Sequence, residues 1–142
     1  MSVPLASTID LKAAPYGALL LRVSLGGLLL AHAGLKYFVF TPAGTEGFFA
    51  SLGLPGWFGL VVMAGEVICG LALVLGVYVR LAAVLMAADL LGAVFLVHIH
   101  NGFFFTAKGG GWEYPAFWAV ALIVQALLGG GALAMYPDFK KA

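Results

Sequence analysis

Four apolar runs, each about twenty residues long and separated by short polar or glycine-rich stretches, set the outline of this chain. The first is opened by Pro15 and reaches Phe40 through Leu19-Leu20-Leu21 and Leu28-Leu29-Leu30. Proline suits a first helical position, where its missing N–H would have had no partner within the helix. The others cover 58–79, 81–100 and 115–136. At 1.5 Å per residue, each is long enough to cross roughly 30 Å of hydrocarbon. The predicted fold is all-α: an integral membrane four-helix bundle, antiparallel and up-down-up-down, forming a single domain over 1–142 with helices at about 15–40, 58–79, 81–100 and 115–136. Only Arg80 separates the second run from the third, and so tight a turn forces an antiparallel pair. Residues 41–57, with Pro42, Gly44, Gly47, Gly53, Pro55 and Gly56, read as a structured loop. Residues 101–114 form a second loop, rich in glycine and aromatic side chains.

Composition agrees with a lipid solvent. Of 142 residues, 63% are hydrophobic and 9% charged, with a mean hydropathy of +1.09; a soluble domain of this size carries charge at about a quarter of its positions. A net charge of +1 gives no reason to expect nucleic acid as a partner. The single cysteine, Cys69, rules out an internal disulfide or a self-contained dithiol couple and reads as a small buried hydrophobe. Ala31-His32-Ala33 imitates a signal-peptidase site, but Arg22 interrupts the apolar core that a signal would need. Lys12, Arg80, Lys140 and Lys141 collect on one side of the expected membrane, with only Lys36 and Lys108 on the other. The positive-inside rule then places both termini in the cytoplasm and the two glycine-rich loops outside. Ala88 with Gly92, and Gly130 with Ala134, have the spacing of close helix-packing faces, and Gly129-Gly130-Gly131 reads either as such a face or as a bend in the fourth helix.

Ionisable side chains within the spans are costly, so those present are paired or functional. They are Arg22, His32, Lys36, Glu66, Asp89, His98 and His100. Counting from the outer helix ends, His32 and Glu66 both lie roughly 10 Å deep on neighbouring helices and are expected to touch. Lys36 stands one turn above His32, and His98 and His100 close the third helix at the same surface, which gives one outward-facing polar cluster. Arg22, His32 and Lys36 share a stripe about 80° wide. Asp89 is the acid nearest in depth to Arg22, and a structural Arg22–Asp89 ion pair is expected. A carboxyl beside an imidazole is suited to proton exchange near neutrality, as proton-coupled quinone or thiol chemistry requires. Glu66 and His32 are therefore the candidate catalytic residues. No metal or haem is expected, because the two imidazoles of His98-x-His100 project about 200° apart on a helix, a poor arrangement for one ion.

The motifs Arg22-x3-Gly26, His32-Ala33-Gly34-x-Lys36, Leu52-Gly53-x-Pro55, Glu66-x3-Gly70, Gly76-x3-Arg80 and Gly110-Gly111-Trp112-Glu113-Tyr114-Pro115 follow one another along nearly the whole chain. In order and spacing the chain resembles the DoxX family. The resemblance implies a small four-helix protein of the bacterial or archaeal inner membrane, associated in various members with quinone-linked sulfur oxidation, quinone stress or thiol redox complexes. It marks Arg22, Gly34, Lys36, Glu66, Gly110, Glu113 and Tyr114 as functional positions, with Glu113-Tyr114-Pro115 as a lid on the outer end. The absence of a cysteine pair departs from direct disulfide exchange.

The leading expectation is a redox-associated subunit, open outward between its first three spans, that binds a quinone or similar small apolar ligand beside His32 and Glu66. Its ligand-binding residues are Arg22, Lys36, His98, His100, Trp112, Glu113 and Tyr114, with Phe103, Phe104, Phe105 and Trp112 walling the entrance. The alternative is a non-catalytic subunit assembling on other membrane or redox chains, in which Arg22, Asp89 and Glu66 serve assembly. The residues leave open whether the protein is an enzyme and whether it oligomerises. Solute transport fits less well, since four short helices rarely enclose a pathway alone and no inverted repeat is evident.

Overall fold

Long apolar stretches become helices here because in lipid a backbone polar group has no solvent partner and must be satisfied within its own segment. The computed structural model describes residues 8–136, and these contain five α-helices and no strand. They are α1 (Ala14–Gly34), α2 (Thr41–Ser51), α3 (Gly56–Leu75), α4 (Val79–Ala93) and α5 (Glu113–Leu128). A π-helical turn, Leu35–Val39, prolongs α1; a second, Val94–His98, followed by a 3-10 turn, Ile99–Asn101, prolongs α4. With these extensions, Ala14–Val39, Gly56–Leu75 and Val79–Asn101 are long and apolar enough to cross a membrane. Large apolar side chains such as Leu20, Phe95, Phe117 and Leu127 face outward. Water would penalise that surface, whereas lipid solvates it, and this is a membrane protein.

The Asp10 carboxylate accepts the Lys12 and Ala13 N–H groups just before α1, and Pro15 lies in its first turn. α1 packs against α3, α3 against α4, α4 against α5, and α5 back against α1. Leu25, Leu29, Leu73, Val79, Ala83 and Leu122 fill the space between them. α1 and α3 meet most closely at Gly26 and Gly70: a Cβ on Gly26 would come within 2.7 Å of the Gly70 carbonyl. The expected small-residue face at Ala88 and Gly92 is not used in this way, since Ala88 is exposed and Gly92 has open space beside it.

Two expected boundaries change. Residues 41–57 are not a simple loop, because Pro42 starts α2, which lies across α3 with Thr45 buried and the Phe49 ring packed over Gly59. The fourth helix stops at Leu128 instead of 136: Gly129 leaves helical geometry with φ +81° and ψ −160°. The three glycines thus end the helix, and α5, at sixteen residues and about 24 Å, is shorter than a full span. Residues 129–136 run back beneath α1 and α3. Along this strap Ala132 N–H donates to the Pro15 carbonyl, and Met135 and Tyr136 N–H donate to Leu75 and Gly76. Lys140 and Lys141, which supported the orientation reading, lie outside the described residues.

Arg22 holds this end together. Its side chain is 1% exposed, and it is paired with carbonyls, not with Asp89 as expected. Nε donates to Gly130, Nη1 to Leu73 and Val74, and Nη2 to Ala132, at 2.6–3.0 Å. Leu73 and Val74 are in the last turn of α3, where carbonyls lack helical partners and the helix dipole is negative, so a cation is favoured there. Gly76 closes α3 in the left-handed region (φ +76°), and a Cβ there would meet both the Ala134 backbone and the guanidinium. Replacing Arg22→Lys leaves one ammonium where four carbonyls were served and should cost roughly 3 kcal/mol, since hydrogen bonds to charged groups contribute about 1.5–3 kcal/mol each and are not additive. A thermal unfolding midpoint in detergent equal to that of the wild type would show that the clamp does not stabilise the fold.

Candidate functional site

Lys36 enters the site from the π-turn at the end of α1. There the Phe40 N–H reaches back to the Leu35 carbonyl at 3.0 Å, five residues earlier, and the widened turn leaves the Lys36 carbonyl to accept from Thr45 Oγ1 at 3.1 Å. Such π-turns often occur at functional positions because one extra residue re-aims the side chains that follow. Lys36 Nζ donates to both Glu66 oxygens, at 2.8 and 2.9 Å. Glu66 is buried, and the Lys36 side chain is 19% exposed. Two short charge-assisted contacts offset much of the cost of removing both charges from water.

Asp89 belongs to this layer. The turn between α3 and α4 fixes the depth of both carboxyls: Glu66 lies about ten residues before it and Asp89 about ten after, so both stand roughly 15 Å above the turn. Met86, one turn earlier on α4, is the side chain nearest Gly65. Asp89 is within electrostatic range of Lys36, Glu66 and Cys69. The expected His32–Glu66 contact is replaced by the Lys36–Glu66 pair. His32 lies one turn below Lys36, edge-on to Trp118 of α5 with ring centroids 4.8 Å apart. Trp118 Nε1 is buried with no hydrogen-bond partner among the described residues. α1, α3, α4 and α5 therefore each supply a polar side chain at about the same depth.

The remaining predicted residues assemble elsewhere. The Gly110 carbonyl can only accept, so in the neutral ring His98 Nδ1 is the donor to it at 2.9 Å, and Nε2 accepts from the Tyr114 hydroxyl at 3.1 Å. Glu113 Oε1 accepts the Phe105 N–H, Trp112 N–H donates to Gly102, and the Trp112 ring packs edge-on to Phe103. His98, Trp112, Glu113 and Tyr114 thus fold the 101–114 loop back on itself between the end of α4 and the start of α5. His100 is exposed and outside both clusters, and Arg22 is at the opposite end. No group of three His, Cys, Asp or Glu side chains placed to hold a metal occurs among the described residues. An apolar groove of about 470 Å³ runs between α1 and α3, lined by Leu30, Gly34, Tyr37, Met63, Ala64 and Val67 among others. Its lining residues flank Lys36 and Glu66 in sequence.

Thr45 and Trp118 are site residues that sequence reasoning missed. Thr45 sat in an apparent loop. Trp118 carries no charge, and nothing in the pattern of α5 distinguishes it from a lipid-facing aromatic.

The family model that matches this chain is DoxX, over residues 17–99. A relative described as "Putative oxidoreductase CatD", from Bacillus subtilis (strain 168), is 35% identical over 126 residues, which is 89% of either chain. An uncharacterized protein from Haemophilus influenzae is 27% identical over 135 residues, 92% of this chain and 96% of its own. No solved structure matches.

The Lys36–Glu66 geometry makes a non-additive prediction. Lys36→Met strands a buried carboxyl and should destabilise the protein by roughly 3 kcal/mol, whereas the Lys36→Met/Glu66→Gln double variant should recover most of that loss. The check is a double-mutant cycle in detergent, and costs that simply add would mean that the two side chains are not coupled.

Proposed function

This chain belongs to the DoxX family, and we propose that it is a redox-associated inner-membrane subunit, folded as an antiparallel four-helix bundle, that binds a quinone-like ligand beside the Lys36–Glu66 pair. The observation that carries this reading is a bidentate ion pair buried inside a membrane protein, with a second carboxyl at about the same depth and an imidazole one turn below. Family membership and a relative described as an oxidoreductase support the redox association.

The groove between α1 and α3 suits a flat apolar ring or an isoprenoid tail, and the Tyr37 hydroxyl is the polar side-chain group among the lining residues named above. A bound quinone would supply the electron-accepting chemistry. Lys36 offers an ammonium donor to a carbonyl oxygen within one turn of the groove, and Glu66 receives that donor whenever the ligand does not. His32, packed on Trp118, provides an imidazole one turn deeper. The 101–114 loop, closed by His98 and Tyr114, covers the end of the bundle and limits water entry. Both termini are assigned to the cytoplasmic side, and the lipid-facing aromatic surface leaves room for other membrane chains.

Quinone extracted per mole of protein purified in mild detergent tests this reading, with wild type compared against Glu66→Gln. The amide introduced by that substitution retains an oxygen that can accept from Lys36, so the variant should fold. Near-stoichiometric quinone in the wild type, falling at least fivefold in the variant, is the expected outcome. Preparations that are both empty, yet co-purify with other membrane chains, would replace the ligand-binding reading with one of assembly.

A further inference from the structure

Charge does not balance in the polar layer. The groups within electrostatic range of Asp89 are Lys36 from α1 and Glu66 with Cys69 from α3; α5 supplies Trp118 near this depth, which carries no charge. Its ionisable Tyr114 is at the loop end, bound to His98. His32 lies one turn below the ammonium and packs on Trp118. Arg22, the cation expected to balance Asp89, is committed to four carbonyls near the α3–α4 turn. Two carboxyls therefore share one ammonium in a region that lipid surrounds.

Two carboxyls with a single counter-charge in a low-dielectric site do not both ionise; they titrate as a coupled pair and retain one proton between them. The contacts decide which carboxyl keeps it. Glu66 takes two short ammonium contacts, which favour its charged form. Asp89 accepts no hydrogen bond among the described residues and is only partly buried, whereas Glu66 is sealed at 4% exposure. We propose that Asp89 carries an exchangeable proton in the resting protein and is the proton-holding partner of the Lys36–Glu66 pair. The assignment deepens the reading of this layer as a proton-exchanging site but does not depend on which ligand the groove takes. A protonated Asp89 has an O–H to donate within the layer, and Lys36–Glu66 remains a neutral pair beside it.

The test is infrared spectroscopy on the full chain, purified without added ligand at neutral pH and read at the carbonyl stretch of protonated carboxylic acids, with exchange into heavy water to identify mobile protons. Asp10, Glu46 and Glu113 are outside the layer, and Asp138 lies outside the described residues, so the band is assigned by its loss in Asp89→Asn and not by its presence alone. Wild type should show one exchangeable band, absent from Asp89→Asn and about twofold stronger in Lys36→Met, where both carboxyls lose their counter-charge. A band that persists in Asp89→Asn overturns the assignment. The absence of a band in wild type also overturns it, as when an imidazolium at His32 supplies the second positive charge. If Asp89→Asn fails to fold, Asp89→Glu gives the same reading: the band must move in frequency, and an unmoved band refutes the proposal. A band assigned to Asp89 in protein that extracts no quinone would leave this inference standing and remove the proposed ligand instead.

Discussion

A guanidinium cannot be left unsatisfied in hydrocarbon, and the way this protein satisfies Arg22 determines the shape of one end of the fold. Carbonyls at the end of α3 and along residues 130–132 converge on it. That convergence holds the strap against α1 and α3, lets α5 be shorter than a full span, and requires Gly76 to lack a side chain. Because only neutral acceptors are used, the acidic side chain of Asp89 is left for the charged layer in the middle of the bundle. The chemistry of the site thus depends on a structural contact about ten residues away along the helices.

The charged layer relies on local irregularity for its geometry. A regular α-helix continuing through residue 40 would present Lys36 and its successors in the register of the polar stripe below. The π-turn adds a residue to the turn, and Thr45 from α2 donates to the carbonyl of Lys36 itself. The second π-turn, Val94–His98, ends at the histidine that fastens the 101–114 loop. At both places the backbone departs from 3.6 residues per turn where a polar side chain has to be aimed.

Much of this was legible in the sequence, because apolar length is a direct record of membrane thickness. The spans 14–39, 56–75 and 79–101 fall within a few residues of the runs read from composition alone. α2 was hidden because Pro42 and the glycines around it read as turn residues, although a proline at the start of a helix is equally permitted. The end of α5 was hidden because Ala132, Leu133, Ala134 and Met135 are as apolar as the helix before them. Lys36 and Glu66 were both singled out, but their contact was not, since helical periodicity places a residue within about a turn and a π-turn moves it further. The partners of Arg22 leave no trace in the sequence at all: backbone carbonyls are present at every residue, so composition suggested a carboxylate instead. The redox association came from residue order and spacing, a kind of information that physical reading of single positions does not contain.

The partners of Arg22 also impose an order on biogenesis. The guanidinium enters the membrane with the first span, two of its acceptors arrive with the end of α3, and the last two are made only when residues 130 and 132 are synthesised. Until then the earliest span carries an incompletely solvated cation, which favours keeping it near the insertion machinery or the headgroup region. Full solvation of the first span is therefore tied to completion of the chain, since half of the acceptors of its buried cation lie in the last segment to be made.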